Sequence, residues 1–241
     1  MKSLIIGAGE VGKGLHKVIG GQIMDRPPCD LKKGMRCGIC RPCWNSFESF
    51  DIIHICFPYS KRFVSTVRKY QSKYKPKYTV IHSTVPVGTS IKLNAIHSPI
   101  RGVHPYLAKG IRTFVKYFGG PNAKKVARYY KKYFPVKAVN DSDTVEALKL
   151  WDTTMYGAMI LLNKEIYKWC RDNGVDFDLV YTHATKSYND GYRLLGRPEV
   201  VRPYLKHKAG KIGGHCVFQN TKLFKSKTCK RIQAYQKPYA I

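Results

Sequence analysis

The chain has 241 residues, enough to bury a real core as one large domain or two small ones. Its 43 Lys and Arg against 15 Asp and Glu give a formal charge of +28, a surface that suits a phosphorylated substrate, a nucleic acid or an acidic membrane, although basic residues spread over the whole chain also fit ordinary solvated lysines. No apolar run is long enough to cross a bilayer, which excludes a helical membrane span. No Asp or Glu lies between Asp51 and Asp141, so chemistry in that stretch has no carboxylate base.

The first residues, Met1 to Gly21, carry a lysine and an apolar patch, but Gly7, Gly9, Gly12 and Gly14 interrupt it and Glu10 and Lys13 sit where a signal peptide would be apolar. The segment reads as mature structure and the protein as cytoplasmic, with its eight cysteines as thiols or metal ligands rather than disulfides. In chain order, Ser3–Ile6 predicts a short buried strand, followed by a glycine turn and a helix to about Ile19. Gln22–Met24 predicts a second strand ending at Asp25. Residues 26–45 read as a Pro/Cys/Lys-rich loop. Asp51–Phe57 predicts an apolar strand, residues 61–73 a basic helix and Tyr78–His82 a strand. Gly102–Pro105 closes a further short strand, residues 122–133 form a basic helix, and Val136–Val139 the last strand. Strands alternating with helices imply an α/β fold, a Rossmann-type doubly wound parallel sheet over residues 1–140.

After Asn140 the pattern changes to a smaller helical domain, residues 141–241. Asp141 or Ser142 caps a long central helix running to about Asn173, where Gly174 stops it. It is apolar on more than one face (Leu148, Trp151, Met155, Met159, Ile160, Leu162, Ile166, Trp169), which predicts packing on its own domain and on a second subunit, hence a homodimer. A shorter helical region follows from Phe177 to about Leu195.

Gly7, Gly9 and Gly12 form GxGxxG between a strand and a helix, the context that a dinucleotide site needs. Gly7 permits the tight turn, Gly9 lets backbone approach a pyrophosphate, and Gly12 lets helix and strand pack closely. Glu10 and Val11 open the helix, whose N-terminus faces the negative charge. Asp25 stands where a carboxylate would meet the adenosine ribose, which favours NAD over NADP; Arg26 beside it leaves NADP open.

Cys29, Cys37, Cys40 and Cys43 give C-x7-C-x2-C-x2-C. Four thiolates suit tetrahedral zinc, the C-x2-C-x2-C part also occurs in iron–sulfur proteins, and four free thiols on a basic loop is the third reading.

Three later segments carry a resemblance. Ser83-Thr84-Val85-Pro86-Val87-Gly88-Thr89 resembles the STVPxGT loop of the UDP-glucose/GDP-mannose dehydrogenase family, Gly213-Gly214-His215-Cys216 resembles its GG-x-C loop, and Glu146 to Lys149 with Asn163 and Glu165 resembles its central helix. The resemblance implies an NAD-dependent enzyme oxidising a CH–OH group of an acidic or phosphorylated, nucleotide-sugar-like substrate. It implies Cys216 as nucleophile, Lys149 as oxyanion stabiliser, and Thr84 holding water or a substrate hydroxyl near the nicotinamide, in contact with the cofactor.

The chain departs from the family's pattern at Thr153, where the family has Asn, and at Asn220, where it has Asp. Thr153 and Asn220 therefore complete the candidate catalytic set in altered form. The family's hydrolytic glutamate has no counterpart in Pro105-Tyr106-Leu107, and its third domain is not represented in the sequence. These changes remove groups that thioester hydrolysis uses, since an amide holds a water but takes no proton. His104-Pro105 also resembles the His-Pro turn of prephenate dehydrogenases, which offers His104 as a base. The reading from another class is a non-catalytic NAD-binding or polyanion-binding protein. Tyr129, Tyr130 and Tyr133 among Lys124, Lys125, Arg128, Lys131 and Lys132 come nearest to a nucleic-acid module, but that helix is expected to cover the sheet.

Overall fold

The computed structural model describes residues 1–25, 49–102, 105–213 and 215–239. The chain divides into two compact units, Met1–Lys149 and Leu150–Ile241.

The first unit is built on a seven-stranded sheet. Its elements are β1 (Ser3–Ile6), α1 (Glu10–Ile19), β2 (Gln22–Met24), β3 (Ile52–Ile55), α2 (Phe63–Tyr74), β4 (Tyr78–Ile81), β5 (Ile96–His97), α3 (Leu107–Thr113), β6 (Lys116–Gly119), α4 (Ala123–Tyr130) and β7 (Val136–Val139). The strand order is β2-β1-β3-β4-β5-β6-β7. The chain thus runs outward from β1 to β2, then returns across β1 to β3. That reversal is a switch point, and the crevice beyond the carboxyl ends of β1 and β3 is where open α/β sheets bind ligands.

β1, β3 and β4 are buried at every position, as strands covered on both faces must be. Alternate residues feed two cores. Ile5, Ile52, Cys56 and Val80 pack with Leu15 of α1, Leu107 and Ile111 of α3, and Val126 and Tyr130 of α4. Leu4, Ile6, Ile53, Ile55 and Ile81 pack on the other face with Phe63, Val67, Tyr70 and Tyr74 of α2.

The expectation of a parallel sheet needs one correction: β5 and β6 pair antiparallel, through His97 and Gly119 alone. A single bridge between short strands leaves no ladder to impose one direction, and mixed sheets of this kind are common. Ahead of Gly102–Pro105, which was expected to close a short strand, the described strand is Ile96–His97; Val103 and His104 lie outside the described residues.

α5 (Ser142–Asp172) is the long helix that the apolar pattern predicts. In the second unit it is followed by a π-helical turn (Asp178–His183), α6 (Ala184–Leu194), α7 (His215–Asn220) and α8 (Lys227–Gln236). α7 and α8 meet α5 at Gly157: a methyl group there would stand 2.8 Å from Val217 Cγ1 and 2.9 Å from Ile232 Cδ1. Leu161, Ile212, Val217 and Ile232 form this unit's small core.

Candidate functional site

The turn after β1 is shaped by contact. Gly7 has φ +107°, and a Cβ on it would lie 2.8 Å from the Phe57 amide nitrogen and 2.9 Å from the Cys56 carbonyl carbon. It therefore abuts the end of β3, at the switch point. Its own amide donates to Met24 O at 2.8 Å. A Cβ on Gly12 would lie 1.8 Å from Gly7 O, so no other residue fits while α1 holds its place. Gly9 is different. It is the exposed N-cap of α1, has an extended backbone, offers no side-chain cap, and a Cβ there would meet nothing within 4 Å. The exposed residues Gly9 and Glu10 and the half-buried Val11 open the helix, whose first amide groups and positive dipole end point away from it. Asp25, exposed after β2, accepts the Ala8 amide through Oδ1 at 3.1 Å, which fixes its carboxylate beside the same turn.

The loop after β4 is tied to α5 by a residue to which the sequence reading gave no role. Glu146 is fully buried. Its Oε2 accepts the Gly88 amide at 2.7 Å, and its Oε1 accepts the Ser90 amide at 2.8 Å and the Ser90 hydroxyl at 2.6 Å. Burial raises its pKa against the pull of these three hydrogen bonds. Thr84 is half-buried in this loop, which Ser83 anchors by donating to Phe57 O at 2.6 Å. Lys149, half-buried, lies one helical turn beyond Glu146.

A buried polar network crosses the first unit. Tyr130 OH bonds His54 Nε2 at 2.7 Å, His54 Nδ1 bonds His82 Nε2 at 2.8 Å, and His82 Nδ1 donates to Ser98 O at 2.6 Å. Lys116 closes it, donating from Nζ to Ser98 O at 2.8 Å and Pro99 O at 3.1 Å. Burial, helped by the Lys116 charge, pushes His54 and His97 down to about 3 and His82 well below its ordinary value. Burial pushes Lys116 itself down to about 7 and the Cys56 thiol up to about 12. Both ring nitrogens of His97 lack a partner among the described residues. Reading His54 and His82 as strand residues gave no signal of this. Their meeting depends on the β3–β4 register, and buried Lys116 looks in sequence like a solvent-facing residue.

In the second unit, Cys216 is an exposed free thiol in the first turn of α7. Asn220, buried at the end of that helix, donates from Nδ2 to Thr153 Oγ1 at 3.2 Å. Thr153 in turn donates to Leu150 O at 3.1 Å. The two positions that depart from the family's pattern therefore touch each other as a neutral pair. Gly213 has open space where a Cβ would be.

Gly214, His104 and the cysteines Cys29, Cys37, Cys40 and Cys43 lie outside the described residues. Among the described residues no group of three or more His, Cys, Asp or Glu is placed to hold a metal. No described helix is long and apolar enough to cross a membrane.

No protein-family model matches the sequence, and no curated protein matches it. Solved structures do match in fold. A UDP-glucose dehydrogenase from Pyrobaculum islandicum superposes with a TM-score of 0.74 at 16% identity, covering 99% of this chain and 68% of that one. A UDP-D-ManNAc dehydrogenase from Pyrococcus horikoshii gives 0.73 at 15%, over 98% and 68% of the two chains. A 3-hydroxyisobutyrate dehydrogenase from Mycobacterium tuberculosis gives 0.64 at 12%, over 98% and 93%. At these identities the likeness shows a shared fold: a Rossmann-type α/β sheet followed by helices.

Proposed function

We propose that the protein is an NAD-dependent oxidoreductase acting on a CH–OH group of a small acidic or phosphorylated substrate, in the manner of nucleotide-sugar dehydrogenases. The observation that carries this is the turn at the switch point. Gly7 and Gly12 are held by contact, while Gly9 leaves open space at the end of α1 beside the fixed carboxylate of Asp25. These residues fit a dinucleotide: Gly9, Glu10 and Val11 for the pyrophosphate, and Asp25 for the ribose hydroxyls, where it would repel a 2′-phosphate. The fold matches to dehydrogenases agree with this reading.

When bound, NAD would accept hydride from the substrate carbon. The chain's own residues would do the rest. Thr84, on a loop clamped by Glu146, would hold a substrate hydroxyl. Lys149 would stabilise the developing oxyanion as a fixed ammonium. Cys216, exposed in the first turn of α7, would attack an aldehyde to give a thiohemiacetal. Hydrolysis of a later thioester needs a base for water, and at the expected position Asn220 donates its amide to Thr153 instead. Oxidation should therefore stop at the aldehyde or pass to the acid slowly.

Residues 1–140 serve in this reading as the NAD-binding domain and residues 141–241 as the domain carrying the cysteine and the dimer contact. Within the second unit α5 leaves Trp151, Met155, Leu162 and Trp169 half or more exposed, at 50, 61, 55 and 58%. A homodimer that covers them removes this apolar surface from water.

The test is to supply NAD with sugar nucleotides and small phosphorylated alcohols, and to count NADH per substrate. One NADH with accumulated aldehyde, or two NADH with a trapped acyl-enzyme that turns over slowly, is expected, and Asn220→Asp should speed acid formation, since general-base help is worth roughly 10²–10⁴-fold. Two NADH without a trapped intermediate would contradict the proposed loss of hydrolysis. No NAD binding at all would overturn the assignment.

A further inference from the structure

The helical layer that covers one face of the sheet has an inner side accounted for by packing and an outer side for which neither the fold nor an NAD site gives a reason. α1, α3 and α4 all pack on the same core, through Leu15, Leu107, Ile111, Val126 and Tyr130. The layer is tied together at its edges: Arg112 Nη2 donates to Lys17 O at 2.9 Å, and the Met1 ammonium donates to Tyr129 OH at 2.9 Å.

On α4 and the turn that follows it, the exposed side chains are Lys124, Lys125, Arg128, Lys131 and Lys132. Their spacing, i, i+1, i+4, i+7 and i+8, places all five on one stripe of a helix. None has a carboxylate partner among the described residues. The sequence provides none nearby either, because the whole span from Ile52 to Asn140 lacks Asp and Glu. A merely solvated basic helix normally carries acidic residues at i+3 or i+4, because like charges at that spacing destabilise it. The second unit shows this ordinary pattern: Lys168 pairs with Asp172 and Arg193 with Asp190. Five unopposed charges on one short helix favour a partner that is itself a regular array of negative charge.

We infer that the outer face of α4 and the turn after it is a docking surface for the phosphate backbone of a nucleic acid. Two observations choose this partner among polyanions. The tyrosines of the helix are not presented for base stacking: Tyr130 is buried in the polar network, and Tyr129 and Tyr133 are half-buried with the Lys132 ammonium 5.0 and 4.9 Å from their ring centres. Contact is therefore to phosphates, without sequence readout. An acidic membrane is the poorer fit, because a membrane-binding helix adds exposed apolar anchors to its charge, and α4 exposes none. The inner-face expectation, that this helix covers the sheet, holds at the same time: the covering side and the docking side are opposite faces of one helix.

The experiment uses the full chain, a fluorescent 20-base-pair duplex, and vesicles of neutral lipid with a phosphatidylserine fraction. Five phosphate contacts should lower duplex affinity by about 500-fold between 50 and 200 mM salt. Replacing Lys124, Lys125, Arg128 and Lys132 by Gln should reduce the slope of log affinity against log salt by about 3.6. Its melting temperature and NAD titration report whether the fold is kept. The control replaces Lys222, Lys225, Lys227 and Lys230 of the second unit by Gln and should leave the slope near that of the parent. An equal fall in both variants would overturn the proposal in favour of undirected net charge. Binding to vesicles without binding to duplex, or no duplex binding at 50 mM salt, would overturn it as well.

Discussion

The turn after β1 and the turn before α7 carry the two motifs from which function is read, and they differ in what holds their glycines. At the first, Gly7 and Gly12 are imposed by neighbours: one by its positive φ and the Phe57 amide, the other by a carbonyl oxygen 1.8 Å from its missing Cβ. Gly9 sits between them with nothing to avoid. At the second, Gly213 also has nothing within 4 Å of a Cβ. A glycine that packing demands is evidence about the fold. One that packing does not demand leaves room for something the chain itself lacks, which is why Gly9 carries the functional argument.

That contrast can be broken by four measurements. The largest effect should come from Gly12→Ala. Relief of the clash requires α1 to move off Gly7, and overpacking of this kind costs about 3 kcal/mol or more. Urea unfolding should show the loss in midpoint, and an unchanged midpoint would mean that the turn is not held as described.

An effect of comparable size is the acid sensitivity of the first unit. His54, His97 and His82 are pushed down from 6.5 by burial, and Lys116 from 10.5 to about 7. A group whose folded pKa is depressed adds stability above its unfolded pKa and loses it as pH falls toward the folded value, by about 1.4 kcal/mol per unit of depression. Melting temperature should therefore fall from pH 10 to pH 7 as Lys116 becomes harder to keep neutral. It should fall again from pH 6.5 toward pH 3 through the histidines. Lys116→Met should flatten the upper limb and leave the lower one, because His54, His82 and His97 remain. A melting temperature that is flat across both windows would show that these groups are hydrated.

Gly9→Ala comes third and separates stability from binding. The unfolding midpoint should move by less than about 0.5 kcal/mol, as at an open surface position, while NAD affinity should fall about tenfold, or 1.4 kcal/mol. A matching loss of stability would place Gly9 with Gly7 and Gly12. The smallest effect on stability is expected for Gly213→Ala, again under about 0.5 kcal/mol, with turnover reduced if this turn approaches substrate as Gly9 approaches the cofactor. A large shift in its melting curve would remove the parallel.

The same contrast explains what the sequence made legible. Gly7, Gly9, Gly12 and Asp25 are local: a strand, a turn and a helix lie within 25 residues, so spacing alone conveys the geometry. The long helix was readable because its apolar positions persist over 31 residues. β5 was not, because a strand of two residues leaves no period to detect. β6 was hidden by Lys116, whose burial depends on the carbonyls of Ser98 and Pro99 18 and 17 residues away. The role of Glu146 was equally hidden, since its partners Gly88 and Ser90 lie on a loop 58 and 56 residues earlier. The pairing of Thr153 with Asn220 spans 67 residues, so two separate departures from a family pattern turned out to be one contact.

The claim on which the account depends is that the open turn at Gly9 and the carboxylate of Asp25 form an NAD site. Calorimetric titration of the purified chain with NAD and with NADP tests it most directly, with Asp25→Asn as the companion variant. NAD should bind more tightly than NADP, and the preference should narrow in the variant because its side chain no longer repels a 2′-phosphate. Equal or reversed affinities in the unmodified protein would contradict it.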